Sequence, residues 1–173
     1  MNQFLKQKKW LILIIGILLF FLIPIPNPLF NTPFSTVLEA NNGELLSAKI
    51  AGDGQWRFPE GDTVPEKFAH CILLFEDEYF YQHPGVNPVS FARAMKQNVQ
   101  AGKVVSGGST LTMQVVRLAR RGQSRSIWEK VVEVFWAFRL ELRHSKQEIL
   151  ELYAAHAPFG GNVVGLEAAA WRY

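Results

Sequence analysis

"AHCILLFEDEYFYQHPG", residues 69–85, runs an apolar stretch straight into Glu76, Asp77 and Glu78, followed by three aromatics, a histidine and a Pro-Gly turn. Ala69, Ile72, Leu73, Glu76 and Phe80 stand at i, i+3, i+4, i+7 and i+11. That spacing predicts a helix to about Tyr79, opened by the capping-box pair Thr63 and Glu66, with Glu76 extending its apolar stripe. Asp77 and Glu78 then point elsewhere. The plain reading is an acidic helix end in water, yet carboxylates at a helix C-terminus oppose its dipole. A carboxylate at the end of an apolar face is short of water and becomes a better base, which is the chemical reading.

Helical signals continue on both sides of a loop. Asn87-Pro88 reads as a cap and first-turn proline for "VSFARAMKQNVQAG", which Gly102 ends. Ser109 or Thr110 caps "TLTMQVVRLARR" up to Gly122. "RSIWEKVVEVFWAFRLELRH" repeats Ile127, Val131, Phe135, Phe138 and Leu142, a stripe expected to face the core. Ser145 with Glu148 caps "KQEILELYAAH", Pro158 stops it, and "GLEAAAWRY" opens a last helix. Upstream, "FSTVLEANNGELLSAKI" and "GQWRF" read as short strands, with Asn42-Gly43 as a hairpin turn. The chain is expected to be mainly α with a small N-terminal β element.

The 173 residues are 49% hydrophobic with a net charge of +3, enough for one domain and an appendage. Mild basicity suits anionic membranes, pyrophosphates or nucleic acid without choosing among them. The single cysteine, Cys71, has no disulfide partner within the chain and is expected to be a small buried apolar residue. Lys6, Lys8 and Lys9 precede a charge-free run from Trp10 to Ile23, the order of a signal or a membrane anchor. No small-x-small cleavage site follows closely, which favours an uncleaved anchor. This divides the start into a basic cytoplasmic tail (1–9), a transmembrane anchor (10–26) and a proline-rich linker with the β element (27–59).

Two further constellations carry chemistry. In "SGGSTLTMQVVRL", glycines and hydroxyls at a helix start present backbone N–H groups to one spot, an anion site, with Gln114 and Arg117 one turn on. The same pattern is common in purely structural helix entrances, and it lacks the lysine-serine pair of a nucleotide-binding phosphate loop. In "RSIWEKVVE", Arg125, Glu129 and Glu133 fall on one helix face with Lys130 beside Glu133. Such pairs are most often solvated surface ion pairs. Two glutamates on separate helices, Glu76 and Glu133, also suit glycosyl-transfer chemistry.

In their order these stretches resemble the peptidoglycan glycosyltransferase domain of penicillin-binding proteins, the family 51 glycosyltransferases, which have a lysozyme-like helical fold. The resemblance covers residues 60–173. The family motif E-D-x-x-F-x-x-H-x-G is complete at Glu76, Asp77, Phe80, His83 and Gly85. The motif G-x-S-T-x-T-Q-Q-x-x-K-N keeps Ser109, Thr110, Thr112 and Gln114, with Met113, Arg117 and Leu118 replacing glutamine, lysine and asparagine. R-K-x-x-E is read as "EKVVE", keeping Lys130 and Glu133 but placing Glu129 where arginine is expected. E-L-Y-L-N-x-x-x-F-G becomes "ELYAAHAPFG", and the fifth motif survives as "GLEAAAWRY". The drift in the middle motifs resembles the penicillin-binding protein 1C branch.

The resemblance implies polymerisation of lipid II into β-1,4 glycan strands with release of undecaprenyl pyrophosphate. It implies Glu76 as the base and Glu133 as the second catalytic carboxylate. Substrate and pyrophosphate binding would fall to Arg93, Ser109, Thr110, Gln114, Arg117, Arg125 and Lys130. No cofactor is required by sequence, and the resemblance leaves room for a divalent cation, Mg or Mn, beside the pyrophosphate. The implied partners are lipid II, the growing glycan chain, membrane lipids and cell-wall synthesis proteins, not nucleic acid. The implied place is the outer face of the bacterial cytoplasmic membrane, with the N-terminus inside. The family's domain continues past the point matching Tyr173, so the chain is expected to be incomplete at its C-terminus. Two other readings stay open, a lysozyme-like glycan-cleaving enzyme and a non-catalytic protein that binds lipid II or a cell-wall partner.

Overall fold

The computed structural model describes residues 8, 10–12, 15, 16, 24–59, 61, 63–121 and 126–173. Chain contacts divide it into two units, Met1–Phe30 and Asn31–Tyr173. In the first unit Trp10, Leu11 and Ile12 are helical and exposed. Much of the anchor expected over 10–26 lies outside the described residues. Among the described residues no helix is long and apolar enough to cross a membrane.

The second unit is mainly helical. It opens with an antiparallel hairpin, β1 (Thr36–Glu39) on β2 (Leu45–Lys49), turning where Gly43 takes a φ of 82° and the Glu44 amide donates to Asn42 Oδ1. The strand expected at "GQWRF" does not form. Trp56 alone makes a bridge to Val163, because its partner is the very short hairpin of β3 (Pro158–Gly160) and β4 (Val163–Val164). Next to it Arg57 is fully buried and donates to the Pro33 carbonyl at 2.5 Å and to Asp53 at 3.2 Å.

Helix α1 spans Glu66–Glu76. The expected Thr63–Glu66 capping box is absent, because Pro65 takes the N-cap position and makes Glu66 the first helical residue instead of the third. No residue of α1 is buried, and Cys71 is exposed, against expectation. A helix laid lightly on the domain leaves a thiol on its outer side in water.

The caps expected at Asn87, Gly102, Thr110 and Ser145 form, and the stop expected at Gly122 lies outside the described residues. Helix α2 (Pro88–Ala101) starts where Asn87 Oδ1 accepts from Val89 and Ser90 amides, and it ends at Gly102 with a φ of 64°. Helix α3 (Leu111–Ala119) is capped by Thr110, α4 (Ile127–Glu141) by Ser126, and α5 (Lys146–His156) by a complete Ser145–Glu148 box. Helix α6 (Leu166–Arg172) follows Gly165. The core lies where α3 packs on α4 and α5, filled by Leu111, Met113, Val115, Val116, Leu140, Ile149 and Leu150.

Helix α4 corrects one expectation. Its period is helical, but Ile127 and Leu142 are 88% and 78% exposed, while Glu133, Ala137, Arg139 and Leu140 are buried. Both faces carry apolar residues, and the buried Glu133 is paired with Lys130 of the same helix at 2.8 Å.

Candidate active site

The three carboxylates of the 76–78 stretch have three different surroundings. Helix α1 ends because Asp77 leaves the helical region, at φ −161° and ψ 72°. Asp77 is buried, takes a hydrogen bond from His83 Nε2 at 3.0 Å and accepts the Leu111 amide at 2.9 Å. One carboxylate thus ties the 77–83 turn to the positive end of α3, where an anion is favoured. Glu78 is exposed. Glu76 is half-buried, and its Oε2 accepts from Gln114 Nε2 at 2.7 Å.

Glu76 opens onto a cleft of about 210 Å³, which Ser90, Arg93, Gly107 and Ser109 also line, with Leu74 and Phe75 as apolar wall. Behind it the Lys130 ammonium donates to Ser109 Oγ at 2.5 Å and to Glu133 Oε2 at 2.8 Å. Glu133 is 5% exposed, so an ammonium beside it offsets the cost of burying its charge. Arg117 and Glu76 both act on the buried Tyr153 phenol of α5, which burial and then the Glu76 charge push up to about 12, against the opposing pull of Arg117. The phenol therefore stays protonated near neutral pH.

The fold gathers Glu76, Arg93, Ser109 and Gln114 at this cleft, with Lys130 and Glu133 linked to it through Ser109. Thr110 also borders it, but its hydroxyl donates to the Gly85 carbonyl at 2.6 Å and accepts the Met113 amide at 3.2 Å, so it is engaged within the fold. Arg125 lies outside the described residues. Glu129, at the position where the resemblance calls for arginine, is paired with Arg120 at 2.8 Å. Sequence reasoning singled out neither Arg120 nor Tyr153. The tyrosine stood inside a quoted motif; the arginine has no local signal.

A divalent ion held by protein ligands does not fit this donor set. Among the described residues no group of three His, Cys, Asp or Glu side chains could hold one, and Glu133 is already bound by Lys130.

The model of the transglycosylase family matches residues 43–173, more than half of the chain. The chain belongs to the transglycosylase family. It is 42% identical to penicillin-binding protein 1C of Escherichia coli (strain K12) over 149 residues, which cover 86% of this chain and 19% of that protein. It is 35% identical to penicillin-binding protein 1A of Aquifex aeolicus over 96% of this chain and 25% of that protein. It is 36% identical to the biosynthetic peptidoglycan transglycosylase of Alcanivorax borkumensis over 73% of this chain and 51% of that protein. The chain therefore spans from about a fifth to about half of these relatives. The transglycosylase match contains every residue of the cleft, the Asp77 joint and the Lys130–Glu133 pair.

What this arrangement offers chemically is a carboxylate steered by an amide donor at an apolar lip, on a cleft that also holds the Arg93 guanidinium and the Ser90 and Ser109 hydroxyls. The first is the composition of a general base. The second stabilises negative charge that develops on a leaving group.

Proposed function

We propose that the chain is a peptidoglycan glycosyltransferase that polymerises lipid II at the outer face of the cytoplasmic membrane. Glu76 takes the proton from the acceptor sugar 4-hydroxyl as that oxygen attacks the anomeric carbon of the growing chain. The new bond is β-1,4, and the anomeric carbon–oxygen bond breaks with its electron pair leaving on undecaprenyl pyrophosphate. Arg93, Arg117, Arg125 and Lys130 offset the charge on the departing pyrophosphate, and Glu133 acts by holding Lys130 against Ser109. Ser109 contributes its hydroxyl, Thr110 shapes the entrance to α3, and Gln114 aims the base. Lipid-linked substrates call for an anchor, with the N-terminal lysines inside and the helical domain outside. Membrane lipids and cell-wall synthesis proteins are the remaining partners.

The observation that carries this reading is the Glu76–Gln114 contact at 2.7 Å on the rim of a cleft that also holds Arg93 and Ser109. A glycan-cleaving enzyme would use a second carboxylate, but Glu133 is tied to an ammonium. The test is binding of a phosphoglycolipid that mimics the growing chain. Arg93→Ala and Arg117→Ala should each weaken it by about 1.5 to 3 kcal/mol, the usual loss for a charge-assisted hydrogen bond. Unchanged affinity in both variants, or no binding by the wild-type chain, would refute the assignment.

A further inference from the structure

Facing the Leu74–Tyr79 run, the cleft has two further walls that belong to different elements. One is α2, which contributes Ser90 and Arg93; the other is the run from Gly107 to Thr110 that leads into α3. Between them lies the loop 103–108, whose apolar side chains do not hold it down: Val104 and Val105 are 87% and 54% exposed. What holds it is one side chain. Asn98, on α2 beyond Arg93, accepts the Val105 amide at 2.8 Å and the Ser106 amide at 2.9 Å through Oδ1, and donates to the Ser106 carbonyl at 3.0 Å through Nδ2. The amide thus pairs with the loop as a neighbouring strand would, satisfying three backbone groups at once. Next to it Gly108 lies so close to α2 that an added Cβ would stand 2.8 Å from Phe91 Cα, so the loop is pressed onto the helix at a second point.

We propose that Asn98 is a positioning residue, which sets the spacing between the Arg93 wall and the Gly107–Ser109 wall and so fixes where the pyrophosphate of the substrate is received. This rests on the reading of the cleft as the site of glycosyl transfer. Asn98 itself lines neither wall; it acts through the loop. The three hydrogen bonds differ in what each substitution removes. Asn98→Asp keeps an acceptor for the two amides but loses the donor to Ser106 and brings a carboxylate against that carbonyl. Asn98→Leu keeps the volume and loses all three. Asn98→Ala loses volume and hydrogen bonds together.

The experiment uses the full 173-residue chain, with hydrogen exchange at the Val105 and Ser106 amides and affinity for the phosphoglycolipid measured side by side. Exchange at these two amides should rise about tenfold or more in Asn98→Leu and Asn98→Ala, and less in Asn98→Asp, since releasing a clamped loop lowers the cost of local opening. Affinity should fall in the same order, by about tenfold in the first two variants, with the thermal midpoint close to wild type. Wild-type exchange in Asn98→Leu would overturn the clamp, because packing volume would then be what holds the loop. Faster exchange with unchanged affinity would overturn the positioning role. If wild type bound no phosphoglycolipid while exchange still followed the predicted order, the functional reading of the cleft would fall and the loop clamp would stand.

Discussion

Replacing Glu76 by glutamine tests the central chemical claim with little disturbance elsewhere. The side chain keeps its length, and the Gln114 amide that donates to Oε2 at 2.7 Å finds a carbonyl oxygen in the same place. Helix α1 buries no residue, so the core between α3, α4 and α5 is untouched. What is lost is the ability to accept a proton. A positioned general base contributes about 10² to 10⁴ in rate, which corresponds to about 2.7 to 5.5 kcal/mol of barrier at 1.36 kcal/mol per tenfold. Lipid II consumption in detergent, followed by separation of glycan products on a gel, should therefore drop by at least a hundredfold, with phosphoglycolipid affinity within about threefold of wild type. Glu78→Gln is the control, since it removes the same charge from the same cleft at an exposed position two residues away. Wild-type turnover in Glu76→Gln would remove the assignment. Equal losses at both positions would mean that the acidic stretch acts through its total charge.

Lys130→Met strands the buried Glu133, and with a third of the lysine side chain exposed the loss of stability should be about 1 to 3 kcal/mol by urea unfolding. Adding Glu133→Gln should recover most of it, and a double variant no more stable than the single one would show that the pair is not coupled. The Tyr153 phenol, raised to about 12 by burial and the Glu76 charge, stabilises the fold while neutral. That contribution is complete below its unfolded value near pH 10 and fades as pH rises through about 12. Tyr153→Phe should flatten the alkaline fall in stability over that window relative to wild type, and parallel curves would contradict the shift.

Local features of the fold were legible because their causes are local. Asn87, Thr110 and Ser145 each cap the helix that follows within three residues, and Gly43 and Gly102 take the positive φ that their turns need. Two helix signals misled even so. Periodicity identified α4 as a helix but chose the face of Ile127 and Leu142, although apolar residues occur on both faces and Ala137 and Leu140 are the ones buried. Thr63 and Glu66 had capping-box spacing, but Pro65 claimed the cap. At the site, Glu76, Arg93, Ser109 and Gln114 could be named from motifs because each falls in a family pattern. Arg120, Tyr153 and Asn98 act through partners 7 to 77 positions away, which is why spacing rules did not single them out.

The Lys130–Glu133 contact also bears on how the cleft would respond to ionic strength. An ammonium already matched by a carboxylate does not arrive as a bare charge; an anion reaching Ser109 must share Lys130 with Glu133. Arg120 is likewise matched by Glu129. Counting basic residues along α3 and α4 therefore overstates the field at the entrance. Added salt should weaken anion capture less steeply than that count suggests, because much of the positive charge is neutralised inside the protein before any solution ion can screen it.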